Sequence, residues 1–148
     1  MTGPLTVQIT LDCAQPHALA DWWAETLGWE VEPSDEEFIA RMVAAGHATE
    51  AETTRHRGVL VWATGAAIRV PAAGEGSRGD RMLFQLVPEP KTVKNRMHLD
   101  VRLEPGASLV DARAALEARG ARFLHEASQG PHRWFTMADP EGNEFCIS

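Results

Sequence analysis

Cysteine is scarce in this chain. Cys13 and Cys146 are the two in 148 residues, too few for a disulfide framework and without metal-binding spacing, so a reduced cytoplasmic protein is expected. Positive charge is also short: 14 Lys and Arg stand against 21 Asp and Glu, a formal net charge of −7. That balance disfavours a nucleic-acid partner, and the basic residues that do gather, Lys91, Lys94 and Arg96, are too few for a phosphate-backbone surface. No apolar run approaches ~18 residues, so no membrane span is expected. The first residues lack the basic, apolar and cleavage regions of a secretory leader. Tyrosine is absent. The run Gly74-Glu75-Gly76-Ser77 is followed by neither Lys-Ser/Thr nor a helix, so it is no phosphate loop. No Gly-x-Ser-x-Gly elbow accompanies either cysteine.

What the chain has is apolar residues, 44% of the total, and strict patterning. A single domain of this length buries about 70% of its unfolded surface. Leu5, Val7, Ile9 and Leu11 alternate with Thr6, Gln8 and Thr10, which predicts a strand packed on one face and polar on the other. Pro16 opens a helix on which Leu19, Trp23 and Leu27 recur, and Gly28 ends it. Capping-box pairs Ser34/Glu37 and Thr49/Glu52 predict two short helices, at about 35–45 and 50–57. They make a helical insertion at about 34–58 at the edge of the domain.

Strands are expected at 29–31, 59–62, 67–70 and 82–87, with a glycine-rich loop at 71–79. Met97, Leu99, Val101 and Leu103 then repeat the opening alternation against His98, Asp100 and Arg102. Ser108 opens a helix ending near Arg119, and strands follow at 122–126, 133–138 and 143–147. One strand, one helix and a run of strands thus occur twice, four strands in the first run and three in the second, with Gln8 and His98 at equivalent places. The fold class is α+β. The pattern of helix and strand alone also suits two ferredoxin-like halves, but the repeat favours paired βαβββ modules.

The segment Asp139-Pro140-Glu141-Gly142-Asn143-Glu144-Phe145-Cys146 is a type I turn feeding a strand. It resembles the closing hairpin of the vicinal oxygen chelate superfamily, which includes glyoxalase I, bleomycin-resistance proteins and extradiol dioxygenases. The run Pro88-Glu89-Pro90-Lys91-Thr92-Val93-Lys94-Asn95-Arg96-Met97-His98-Leu99-Asp100 is similar to the linker and fifth strand of the bacterial glyoxalase-like domain subfamily. The resemblance implies two βαβββ modules forming curved sheets around a shared cleft, and often a homodimer. Ligands in metal-using relatives would fall on Gln8, Gln85, His98 and Cys146. The relatives' closing glutamate is Cys146 here. A set of two amides, one imidazole and one thiol is poor for hard divalent ions, so neither a catalytic metal nor another cofactor is expected.

Each candidate has a plainer reading beside it. His98 lines a cavity or hydrogen-bonds Asp100. Gln8 and Gln85 offer donors to a ligand or bond each other. Cys146 is a nucleophile activated by His98 or a small apolar filler. Trp62 and Trp134 form aromatic walls or pack as core, and Trp23 is core. His132 and Arg133 greet an anion or merely start a strand. His17, His47, His56 and His125 share no ligand spacing, and His47 and His56 are expected to be solvated.

The expected function is binding of a small, partly aromatic molecule, with Gln8, Gln85, His98, Cys146, Trp62 and Trp134 in contact and no assigned catalytic residue. Two alternatives stand beside it. One is a divalent-metal-dependent lyase, isomerase or dioxygenase with an atypical site; the other is a partner-binding module that uses the insertion.

Overall fold

Residues 3–71 and 80–148 are described by the computed structural model; the glycine-rich loop, from residue 72 on, lies outside them. The chain divides into two units, residues 1–89 and 90–148. The first carries β1 (Ile9–Cys13), α1 (Pro16–Leu27), β2 (Glu30–Val31), α2 (Glu36–Ala44), β3 (Thr53–His56), β4 (Val59–Trp62), β5 (Gly65–Arg69) and β6 (Arg81–Leu86). The second carries β7 (Leu99–Val101), α3 (Leu109–Ala118), β8 (Arg122–Gln129), β9 (His132–Ala138) and β10 (Glu144–Ile147).

The two units share one topology. The sheet order is β1-β6-β5-β2 in the first and β7-β10-β9-β8 in the second. In each, the opening strand lies parallel to the closing one and the other neighbours are antiparallel. With α2, β3 and β4 set aside, both read βαβββ. The fold is α+β, built from the repeat that the sequence predicts.

Periodicity places the cores. In β1 the register Ile9–Met82, Leu11–Phe84 and Cys13–Leu86 aligns the apolar face with that of β6, whose Met82 and Phe84 are fully buried. Trp23, Leu19 and Ala20 of α1 are buried on the same unit's β5 and β6. In the second unit Phe135, Met137, Phe145 and Ile147 fill the equivalent layer, beneath a helix that buries Leu116. Each of these large side chains contributes roughly 1.5–3 kcal/mol of burial.

Both alternating strands start later than expected. Leu5 is 76% and Val7 92% exposed, and Met97 is 90% exposed. The ladder of β1 begins at Ile9–Met82 and that of β7 at Leu99–Phe145, and among the described residues those before them pair with no strand. Gln8 and His98 therefore precede their strands rather than lie within them.

The insertion is also different. Its first helix forms, but Asp35, not Ser34, is the N-cap, accepting from Phe38 N at 2.9 Å. The second expected helix is absent. The Thr49/Glu52 capping box closes only a single 3-10 turn over 50–52, and the chain then enters β3. Arg57 (φ 52°) and Gly58 (φ 80°) make the two-residue turn to β4. Two positive φ values match a hairpin turn whose twist suits the strands, and glycine adopts one without strain. The strand at 59–62 pairs with β3 alone, so it belongs to the insertion.

Nor is the insertion a loose appendage. Ile39 is 1% exposed. Ser34 Oγ donates to Leu60 O at 3.1 Å, and Glu36 Oε1 accepts from Leu60 N at 2.6 Å. These bonds stitch the start of α2 to β4.

Candidate functional site

A cavity of about 540 Å³ opens in the first unit, within the size range of small-molecule sites. The insertion supplies one wall, through Phe38, Ile39, Val59, Val61 and Trp62; Leu83 and Ala67 of the sheet face them. Trp62 is thus one predicted site residue that lines a concavity. The polar border includes Glu32, Asp35, Arg57, Arg81, His17 and His56.

Glu32 and Arg81 on that border are paired. Arg81 Nε donates to Glu32 Oε1 at 2.7 Å and Nη2 to Oε2 at 2.9 Å, while Nη1 donates to Gln8 Oε1 at 2.7 Å. The Arg81 hydrogen bond is the largest influence on Glu32 and holds its carboxyl below the ordinary value; the same contact raises Arg81. Gln8, predicted as a ligand contact, is therefore the clamp on an arginine that lines the cavity.

The histidines come from a second network. His17 and Asp21 lie four residues apart on α1, hence on one side of it. His17 Nε2 lies 2.7 Å from Trp62 O, and His56 Nε2 lies 2.6 Å from Asp21 Oδ2. Arg57 Nη2 adds a 3.2 Å ion pair to the same carboxylate oxygen. The two imidazoles stack with centroids 5.3 Å apart. A carbonyl and a carboxylate only accept, so both Nε2 atoms carry the proton and, in the neutral rings, both Nδ1 atoms are acceptors. Sequence reading placed His56 in solvent and gave His17 no role. The His17/Asp21 spacing was a visible signal; their joining to a hairpin was not.

The remaining predicted residues fall elsewhere. Gln85 is exposed on β6, opposite Asp12 and Gly65. Trp134 is half-buried on β9, and alternation gives it the face of Thr136. His98 and Cys146 do come together, and Asp100 joins them. The ligand atoms of His98, Asp100 and Cys146 lie within 4.8 Å of one another. Asp100 sits opposite Cys146 in the parallel ladder, and Cys146 opposite Thr136 in the antiparallel one. Thr136 Oγ1 approaches the thiol sulfur at 3.5 Å, and His98 Nδ1 lies 3.4 Å from Asp100. His98 thus stands beside Asp100 and is not among the residues that line the first-unit cavity.

The superfamily's metal can be tested against this set. One imidazole nitrogen, one carboxylate oxygen and one thiol sulfur suit zinc, which accepts all three. They suit manganese poorly, because it favours hard oxygen donors. Arg133, weighed as an anion contact, is instead paired with Glu126. In the turn that carried the resemblance, Asp139 Oδ1 accepts from Glu141 N and Asn143 N, both at 2.9 Å. Beside it, Glu144 accepts from Lys91 Nζ and Asn95 N, both at 2.9 Å, which anchors the linker to β10.

Among the described residues no helix is long and apolar enough to cross a membrane. No curated protein matches the sequence. Solved structures do match in fold. A variant of the fosfomycin resistance protein FosX from Listeria monocytogenes, complexed with Mn(II) and 1S,2S-dihydroxypropylphosphonic acid, aligns at TM-score 0.61 and 11% identity, over 99% of this chain and 91% of its own. A glyoxalase-related enzyme from Fulvimarina pelagi aligns at TM-score 0.58 and 17% identity, over 97% and 86%. A glyoxalase/bleomycin resistance protein/dioxygenase family enzyme from Burkholderia phytofirmans PsJN aligns at TM-score 0.57 and 12% identity, over 95% and 94%. The model of the glyoxalase-like domain family matches residues 8–148. With that match spanning both βαβββ units, the chain belongs to the glyoxalase-like domain family of the vicinal oxygen chelate superfamily.

Proposed function

We propose that this protein binds a small, partly aromatic molecule without a catalytic metal, and that the cavity of the first unit holds it. One observation carries the reading: a concavity of about 540 Å³ with Trp62, Phe38 and Leu83 as apolar walls and a short polar border. Burial of a flat ring against such walls supplies the driving force, and the few polar groups orient it. The insertion supports this role better than docking of another chain, because Ile39 is buried and Val61 and Trp62 line the cavity. A neutral fragment library screened by amide and indole NMR shifts tests the reading. Hits should converge on Ile39, Val61 and Trp62, and Leu83→Trp, which fills the space, should abolish them. Hits that bypass those residues and collect around His98 and Cys146 would move the site to the second unit.

A metal-dependent reading has one specific support, the meeting of His98, Asp100 and Cys146 within 4.8 Å. Those three would hold zinc, which when bound supplies Lewis-acid polarisation of a carbonyl or phosphoryl oxygen. The chain's own contribution is to fix Asp100 and Cys146 on two paired strands, β7 and β10, with His98 just before β7 and Thr136 beside the thiol.

A further inference from the structure

We infer that the first-unit cavity selects an uncharged aromatic molecule carrying two N–H or O–H donors, recognised by Nδ1 of His17 and Nδ1 of His56. The inference rests on the proposal that this cavity is the binding site and adds the chemical class of its occupant.

Charge is the first discriminator. Glu32 and Arg81 neutralise each other, and Asp21 takes both His56 and Arg57. Asp35 is committed to the Phe38 N–H that it caps. A charged ligand would lose its hydration and meet ion pairs already made, with Asp35 alone held by a backbone N–H in place of a counterion, so binding it costs more than it returns. A neutral ligand avoids that cost.

The pattern of donors and acceptors is the second. His17 donates from Nε2 to the Trp62 carbonyl, and His56 donates from Nε2 to Asp21. Among the described residues neither Nδ1 has a hydrogen-bond partner. In the neutral rings two sp² acceptors are thereby left without a partner among the described residues, on rings stacked 5.3 Å apart. Both rings line the cavity, as do the aromatic side chains of Trp62 and Phe38. A ligand lacking donors would leave these nitrogens desolvated and unpaired, which is the contrast by which polar sites reject analogues. The second unit has no counterpart of the insertion, so this recognition device belongs to the first unit alone.

Benzamide, N,N-dimethylbenzamide and benzoate make a matched set: two N–H donors, none with the carbonyl kept, and none with a negative charge. Each is titrated into the protein labelled with nitrogen-15, reading the histidine ring nitrogens together with the amides of Ile39, Val61 and the Trp62 indole. Benzamide is expected to shift both Nδ1 signals saturably and to bind at least tenfold more tightly than the other two. His17→Phe and His56→Phe should each abolish that preference while leaving the weak response at Val61 and Trp62. If dimethylbenzamide or benzoate moves the cavity residues at the same concentration as benzamide, the donor rule is wrong and the cavity reading stands. If none of the three moves those residues, both fail.

Discussion

Nε2 of His56, on the inserted hairpin, lies 2.6 Å from the carboxylate of Asp21 in α1, 35 positions earlier in the chain. That contact ties a cavity wall to the unit's principal helix. Together with the His17 contact to Trp62 O it fixes which ring nitrogen of each histidine bonds to protein.

Removing the tie should loosen the wall. In Asp21→Ala the His56 N–H and the Arg57 guanidinium lose a shared, mostly buried acceptor. A loss of about 2 kcal/mol is expected, in the range for hydrogen bonds to a charged group. Asp21→Asn keeps one acceptor and should lose less. Urea unfolding gives the free energies, and amide exchange at Leu60 and Val61 should quicken in the alanine variant. Wild-type stability and exchange in Asp21→Ala would mean that the hairpin is held by other contacts.

Two glutamates of the insertion should behave differently. Glu36 accepts from Leu60 N and sits 3.8 Å from Arg55, so Glu36→Ala should cost about 1 kcal/mol, an ordinary net hydrogen bond. Glu50 is exposed and lies on the 3-10 turn; Glu50→Ala should stay within roughly ±0.5 kcal/mol. Equal losses at the two sites would show that the Glu36 bond adds nothing to stability.

The contrast shows where sequence reading succeeds and where it stops. Alternation named the packed face of β1 and β7 correctly, because side-chain parity is local. It did not give their length: among the described residues Leu5 and Val7 alternate yet pair with no strand. At 50–57 the Thr49/Glu52 box was real, yet Thr53, Thr54 and the Arg57-Gly58 turn signalled a hairpin and prevailed. His98 and Asp100 were legible as polar positions of a strand and Cys146 through the resemblance; the ladder register then set Asp100 opposite Cys146. His17, Asp21 and His56 were not legible as a group. Their meeting depends on the register of a hairpin against a helix distant in sequence.

Acid should weaken the fold through carboxylates held by their partners. Glu32 is lowered chiefly by its Arg81 hydrogen bond. For Glu144 burial is the largest influence and acts upward, but the Asn95 N–H, the Lys91 ammonium and the residue's own backbone N–H together outweigh it and the net shift is downward from 4.5. A folded pKa below the unfolded one means that the stabilisation is complete above the unfolded value. It is lost as pH falls from there through the lower, folded value. Unfolding free energy should therefore decline below about pH 4.5, and Glu144→Gln should flatten that decline while costing stability at pH 7. A decline as steep in Glu144→Gln as in wild type would assign it to other groups.

Zinc is the ion by which the second unit can be judged. His98, Asp100 and Cys146 offer a nitrogen, an oxygen and a sulfur, but a dication is neutralised only if the thiol also gives up its proton. The His98 side chain is 41% and that of Asp100 68% exposed, so water competes for the ion and the donors are not held in an enclosed cage. Their mutual contact at 3.4 Å already satisfies part of each. Protein prepared without a metal-affinity tag or chelator is expected to carry well below one zinc per chain by elemental analysis. Added zinc should bind weakly and lose most of its affinity in Cys146→Ser and in His98→Ala, with the melting temperature of the metal-free protein little changed. Stoichiometric zinc in wild type that disappears in both variants would instead make the second unit a metal centre. The metal-dependent reading would then displace simple binding as the protein's function.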